Sequence, residues 1–175
     1  MREDLFEARF SCRRFLQQRA VPRATVEAIL DAARWAPTAG GLEPWRFVVV
    51  TDAATRRNLA SAAFNQSFLA EAPTVVVVCA VPEESARRYG ERGRNLYCLQ
   101  DTAAATENLM LAATACGLGS CWVGAFDEER TARLLELPGG WLPVAVVPLG
   151  EPAQAPPRRS RRPLREITVW IGEPV

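Results

Sequence analysis

Apolar residues in this chain recur in two patterns, every three or four positions or in unbroken β-branched runs, and each pattern predicts its own elements. Behind Pro22, the residues Val26, Ile29, Leu30 and Ala33 predict a helix with one face on the core, stopping before Pro37. Leu5 and Phe6 mark a short helix over residues 4 to 10, broken near Ser11 and followed by an extended link. Trp45 to Thr51 and Val144 to Leu149 read as strands. Val75 to Val81, opening with four consecutive valines, reads as a strand buried on both faces at the centre of a sheet. Asp52 and Asp127 stand where they would cap helices reaching Ala63 and Leu135. Asn95 to Cys116 is the longest predicted helix, with Leu96, Leu99, Ala103, Thr106, Met110 and Ala113 as its stripe. Ala104, Ala105, Ala112 and Ala115 keep its other faces small and apolar, so that more than one neighbour, including a second subunit, could enclose it. Gly117 and Gly119 end this helix, and Cys121 to Val123 reads as a short strand.

Length and composition place these elements in one core domain, residues 1–150, since 175 residues with 49% apolar content can bury a real core. From Glu151 the composition shifts. Pro152, Pro156, Pro157 and Pro163 alternate with Arg158, Arg159, Arg161, Arg162 and Arg165, and Ile167, Val169, Trp170 and Ile171 follow. Residues 151–175 therefore read as a stiffened arm with an apolar end, suited to docking on its own sheet or a partner's. No internal repeat is visible. Without a long apolar run or a leader-like segment at Met1, the expectation is a cytoplasmic protein with no membrane association.

The residue inventory excludes more chemistry than the net charge of +1 does. There is no histidine and no lysine, all 21 basic residues being arginine. A Ser-His-Asp triad, a histidine zinc site, a Schiff-base lysine and a P-loop lysine are all ruled out, so an enzyme built on this chain would rely on a cofactor. The near-neutral balance, and a tail without interleaved aromatics, argue against a nucleic-acid surface. Cys12, Cys79, Cys98, Cys116 and Cys121 are odd in number and lack Cys-x-x-Cys spacing, which favours buried free thiols over disulfides.

Two segments stand out as sites. Ala36 to Phe47 leaves a helix through prolines, small residues and two glycines before entering a strand, presenting bare backbone N–H suited to a planar, polar, anionic ligand. Arg9, Arg13 and Arg14 crowd around Ser11, and phosphate is the natural guest of such a cluster.

Motifs in these and later segments resemble, in order and over nearly the whole chain, those of the FMN-dependent nitroreductase family. They are Arg9-x-Ser11-x-Arg13, the run Ala36-Pro37-Thr38-Ala39-Gly40-Gly41-Leu42-Glu43-Pro44-Trp45, the run Gly117-Leu118-Gly119-Ser120-Cys121-Trp122-Val123-Gly124-Ala125-Phe126, and Arg159-x-Arg161-x-Pro163-Leu164 behind Gly150-Glu151-Pro152. The resemblance implies an α+β fold, a three-layer α/β/α sandwich around a mixed, mainly antiparallel sheet. It also implies a homodimer in which the C-terminal arm is exchanged and completes the partner subunit.

By the same resemblance, Arg9, Ser11, Arg13, Arg159 and Arg161 form the FMN phosphate set, each charge-assisted hydrogen bond contributing about 1.5–3 kcal/mol. Phe10 stands among them where many relatives carry a second arginine. Backbone N–H groups of Gly124 and Ala125 would serve flavin N5 and O4 without any titrating side chain, so that no catalytic side chain is assigned. Val123 and Trp122 would lie against the ring, although for Trp122 plain core packing is an equal alternative. Pro37, Thr38, Ala39 and Gly41 would reach the flavin across the dimer interface, and Asn65 and Gln66 would meet its pyrimidine edge. Gly41 replaces the family's usual Asn, and Glu43 its usual Gln. Between Val81 and Asn95, where the family carries a longer helical lid, the stretch is short and charged.

The implied function is a ping-pong oxidoreductase that uses NAD(P)H to reduce nitroaromatic, quinone or related small-molecule acceptors. Same-fold flavoenzymes with dehalogenating, dehydrogenating or flavin-cleaving chemistry, and a flavin-binding protein without turnover, remain as alternatives.

Overall fold

The computed structural model describes residues 3–16, 19–157 and 160–172. Its centre is a four-stranded antiparallel sheet in the order β1-β2-β4-β3. The strands are β1 (Trp45–Val50), β2 (Thr74–Ala80), β3 (Gly119–Ser120) and β4 (Leu142–Gly150). The helices are α1 (Glu3–Ala8), α2 (Arg23–Ala33), α3 (Ala53–Ala62), α4 (Phe68–Glu71), α5 (Pro82–Arg92), α6 (Cys98–Ala115), α7 (Glu128–Leu134) and α8 (Leu164–Ile167).

The valine run of β2 makes the sandwich. Successive strand side chains point to opposite faces, and every residue of β2 is buried. Val75, Val77 and Cys79 join a cluster with Leu59, Ala63, Phe68, Leu69 and Val146, packed beneath α3 and α4. Val76 and Val78 join the opposite cluster with Ile29, Ala33, Leu109, Met110, Ala145 and Val147, beneath α2 and α6. Fully burying one such valine contributes about 1.5–3 kcal/mol, so this strand commits the chain to a helical layer on each face.

The expected mixed sheet narrows, among the described residues, to antiparallel strands plus one parallel bridge, Ser11 to Ser120. The extended link after α1 continues along the sheet, with Cys12 N–H donating to Ser120 O at 2.8 Å and Leu16 N–H to Glu151 O at 3.0 Å. Ala153 N–H donates back to Arg14 O at 2.9 Å, so the N-terminal link and the exit from β4 are stitched together.

Three sequence expectations are corrected. The predicted strand Cys121 to Val123 lies earlier, at Gly119–Ser120, and only Val123 bridges back, to Val146. The helix predicted from Asn95 starts as α6 at Cys98, behind a π-helical turn, Gly93–Tyr97, and the short charged stretch after Val81 forms α5, broken at Gly90 (φ +57°). The buried face of α6 consists of Cys98, Asp101, Thr102, Ala105, Thr106, Leu109, Met110 and Ala113, while Leu99 is exposed. Threonine hydroxyls explain that rotation. Thr102 and Thr106 donate to the carbonyls of Cys98 and Thr102 at 2.7 and 2.8 Å, so they enter the core with their polar groups satisfied.

Beyond Ala153 the arm packs against little of its own chain. Leu164, Ile167, Val169, Trp170 and Ile171 are exposed, the last two by 77% and 98%. Among the described residues no cysteine is in a disulfide, and of the five only Cys116 is exposed. Among the described residues, no helix is long and apolar enough to cross a membrane.

Candidate functional site

Where α1 ends, the chain turns along the sheet and places Arg9 and Ser11 on one wall of a cavity of about 670 Å3. The arm returns to supply Arg161 and Pro157 on another wall, and Phe6, Glu7 and Phe10 complete the lining. The sequence set thus meets in space for Arg9, Phe10, Ser11 and Arg161, from opposite ends of the chain. Arg9 is 21% exposed and pairs with Glu107 of α6 at 3.1 Å, which holds its guanidinium in place and offsets part of its charge. Phe10 is half-buried and also packs on the core. Arg13 is not in the cavity lining; its guanidinium lies 5.9 Å from the ring centroid of Phe68. Arg159 lies outside the described residues.

The loop from Pro37 to Gly41 is shaped by a residue that sequence reasoning missed. Asp101, 7% exposed on α6, accepts at one oxygen, Oδ2, from Thr38 Oγ1–H at 2.9 Å and from Ala39 N–H at 3.0 Å. Thr38 Oγ1 in turn accepts from Glu43 N–H at 3.0 Å, closing the loop on itself. An acidic residue in the first turn of an Ala- and Thr-rich helix was the available signal. Gly40 has φ +63°, a conformation L side chains rarely adopt, and a Cβ there would stand 2.6 Å from Tyr89 Oη and 2.9 Å from Arg88 Nη1, so a larger residue would be strained and would push these two side-chain ends of α5 aside. Glu43 also adopts a left-handed backbone, φ +49°, a strained conformation of the kind that concentrates at functional loops.

The segment after β3 divides by exposure. Val123 is buried, and its N–H and carbonyl both bond Val146. Trp122 is 37% exposed, and Gly124 and Ala125 are exposed. Among the described residues, neither Gly124 N–H nor Ala125 N–H donates a hydrogen bond. Gln66 fixes this segment, its Nε2 donating to Ala63 O at 3.0 Å and to Ala125 O at 2.9 Å, which leaves only Oε1 for a ligand. Asn65 is exposed with φ +63°, next to Phe64 at φ +54°.

Burial pushes the thiols of Cys12 and Cys98 up and that of Cys79 up to about 12, which removes them as nucleophiles near neutral pH.

The sequence profile of the nitroreductase family matches residues 6–67 and 61–151. An NADH dehydrogenase of Thermus thermophilus is 33% identical over 93% of this chain and 92% of its own. An FMN reductase (NADPH) of Bacillus subtilis is 25% identical over 81% of this chain and 62% of its own. The crystal structure of a nitroreductase family protein from Clostridium difficile 630 superposes with a TM-score of 0.83 at 30% identity, covering 97% of this chain and 98% of that one. A profile spanning most of the core, with relatives matched nearly end to end in sequence and in structure, places this chain in the nitroreductase family.

Proposed function

We propose that this oxidoreductase binds FMN and uses NAD(P)H to reduce a nitroaromatic, quinone or related small-molecule acceptor. The observation that carries the reading is the convergence of Arg9, Ser11 and Arg161 on one cavity from opposite ends of the chain. Two guanidiniums and a hydroxyl suit a phosphate monoester, which takes charge-assisted, geometrically matched bonds. Arg13, which is exposed, belongs to the same proposed set, as does Arg159, which lies outside the described residues.

FMN, when bound, supplies hydride transfer between donor and acceptor, chemistry that amino-acid side chains do not provide. The protein's own part is binding and polarity. Gly124 and Ala125 offer backbone N–H groups that have no acceptor among the described residues, fixed by the Gln66 tether to Ala125 O, as pre-set donors for developing negative charge. Trp122 and the loop of Pro37, Thr38, Ala39 and Gly41 would frame the ring, with Asp101 setting the loop's conformation. Gln66 Oε1 and the exposed Asn65 are the candidate pyrimidine contacts.

The functional unit proposed is a homodimer. The arm's apolar end and Leu99 of α6 are exposed in the single chain, and a second copy would bury both.

The test is the visible spectrum of FMN-loaded protein after desalting, followed by anaerobic NADH or NADPH. Retained flavin that bleaches supports the assignment. Retained flavin that neither donor bleaches would leave a binding protein without turnover, and loss of all flavin on desalting would remove the reading.

A further inference from the structure

A second cavity, of about 530 Å3, opens beside the Pro37 to Gly41 loop, between β1 and α5. That volume falls within the roughly 300–1,000 Å3 of small-molecule sites. Its polar lining is Glu43, Arg46, Glu84, Arg87 and Arg88, and Gly41 closes it on the loop side. The charges are not equally spent. Arg46 is paired with Glu84 and also donates to Trp45 O at 2.7 Å. Arg88 donates to Gly40 O at 3.2 Å and lies 5.5 Å from the ring centroid of Tyr89, which fixes its plane and leaves donors of its fork unused. Arg87 is exposed and, among the described residues, makes no hydrogen bond or ion pair.

We infer that this cavity receives the 2′-phosphate of NADPH and that Arg87, with Arg88 beside it, makes the protein prefer NADPH to NADH. The inference rests on the function proposed above, because the cavity shares Gly41 with the loop assigned to the flavin. NADPH and NADH differ only by that phosphate monoester, so an unpaired guanidinium on the rim bears on one donor and not on the other. A phosphate accepts bidentate bonds from planar forks, and Arg88 is already held in a fixed plane to provide one. Glu43 in the same lining opposes an anion on its own side, so the 2′-phosphate is assigned to the side of Arg87 and Arg88.

The experiment compares kcat/KM for NADPH and NADH in the holoprotein, in Arg87→Ala, and in Arg57→Ala, whose side chain lines a different surface cavity. Calorimetric titration with 2′-AMP and with 5′-AMP runs alongside. The expected result is a wild-type preference for NADPH of about tenfold or more, abolished or cut by about tenfold in Arg87→Ala and kept in Arg57→Ala. Binding of 2′-AMP should be tighter than that of 5′-AMP, and weakened by the same variant. No wild-type preference, or a preference that survives Arg87→Ala, overturns the inference. Absence of flavin retention or bleaching would instead sink the function proposed above, and 2′-AMP binding would then decide the cavity's phosphate specificity by itself.

Discussion

Replacing Asp101 tests whether one buried carboxylate sets the loop at the proposed ring site. Asp101 Oδ2 alone receives both bonds, from Thr38 Oγ1–H at 2.9 Å and from Ala39 N–H at 3.0 Å. Asp101→Asn can put a carbonyl oxygen in the same place and keep both bonds without the charge. Hydrogen bonds to a charged group contribute about 1.5–3 kcal/mol and neutral ones about 0.5–1.5, so the loss is about 2 kcal/mol for the pair. Asp101→Ala removes both acceptors. The gross cost is about 3–6 kcal/mol, reduced to about 2–4 because the half-buried Thr38 and Ala39 regain some water. For a chain of this length each kcal/mol moves Tm by about 2–4 °C, so Asp101→Asn should lose about 4–8 °C and Asp101→Ala more. If the loop must then be ordered by the ligand, about 3 kcal/mol of that cost raises the FMN Kd in Asp101→Ala by up to about a hundredfold. Urea unfolding at one fixed protein concentration, with FMN fluorescence titration, reads both quantities. The reasoning is refuted if Asp101→Ala unfolds within about 0.5 kcal/mol of wild type, or if it is more stable than Asp101→Asn.

Gln66→Leu removes the tether to Ala125 O and should weaken FMN binding more than it lowers Tm; an unchanged FMN Kd in a fluorescence titration would show the tether to be idle. A thiol reagent should label Cys116 in the native protein and the other four cysteines only on unfolding, as mass spectrometry of the adducts would report. Because burial pushes the Cys79 thiol up from 9.0 to about 12, the unfolded chain loses that proton first as pH rises. Stability is unaffected below pH 9.0 and should fall between 9.0 and about 12, by at most about 1.4 kcal/mol per pH unit for this group, and Cys79→Ala should flatten the decline in alkaline urea titrations. Truncation before Leu164 deletes the exposed apolar end of the arm and should convert a dimer to monomers in analytical ultracentrifugation, whereas an unchanged sedimentation coefficient per chain would place the dimer contact elsewhere.

The candidate site was legible in the sequence where chemistry is carried by residue type. An arginine cluster around a hydroxyl and an arginine-rich tail were visible as phosphate chemistry, and Arg9, Ser11 and Arg161 do line one cavity. The site was illegible where a side chain's partner decides its role. Gln66 reads as a free amide, yet both its bonds from Nε2 go to backbone carbonyls. Arg13 reads as a phosphate ligand, and its contact with the Phe68 ring, 5.9 Å to the centroid, had no signal in the sequence. Asp101 offered no motif, since its importance lies in two donors more than sixty positions away. In α6, hydropathy ranked Leu99 above Thr102, and the i−4 bonds of the threonines reversed that order.

By itself the sequence determined the sandwich. Four consecutive valines, flanked by helical spacings and by Asp52 and Asp127 as caps, require a central strand with apolar cover on both faces, because period and burial are properties of local pattern. It also determined what chemistry is closed to the chain, since a missing histidine or lysine is missing in every conformation. Only the tertiary structure decided which arginines converge and which are spent on carboxylates, carbonyls or rings. It decided too that Asp101 holds the loop and that the Gly124 and Ala125 N–H groups find no acceptor among the described residues. Those outcomes depend on distances between elements remote in sequence, and packing of the helical layers on the sheet, not the order of residues within any one element, sets such distances.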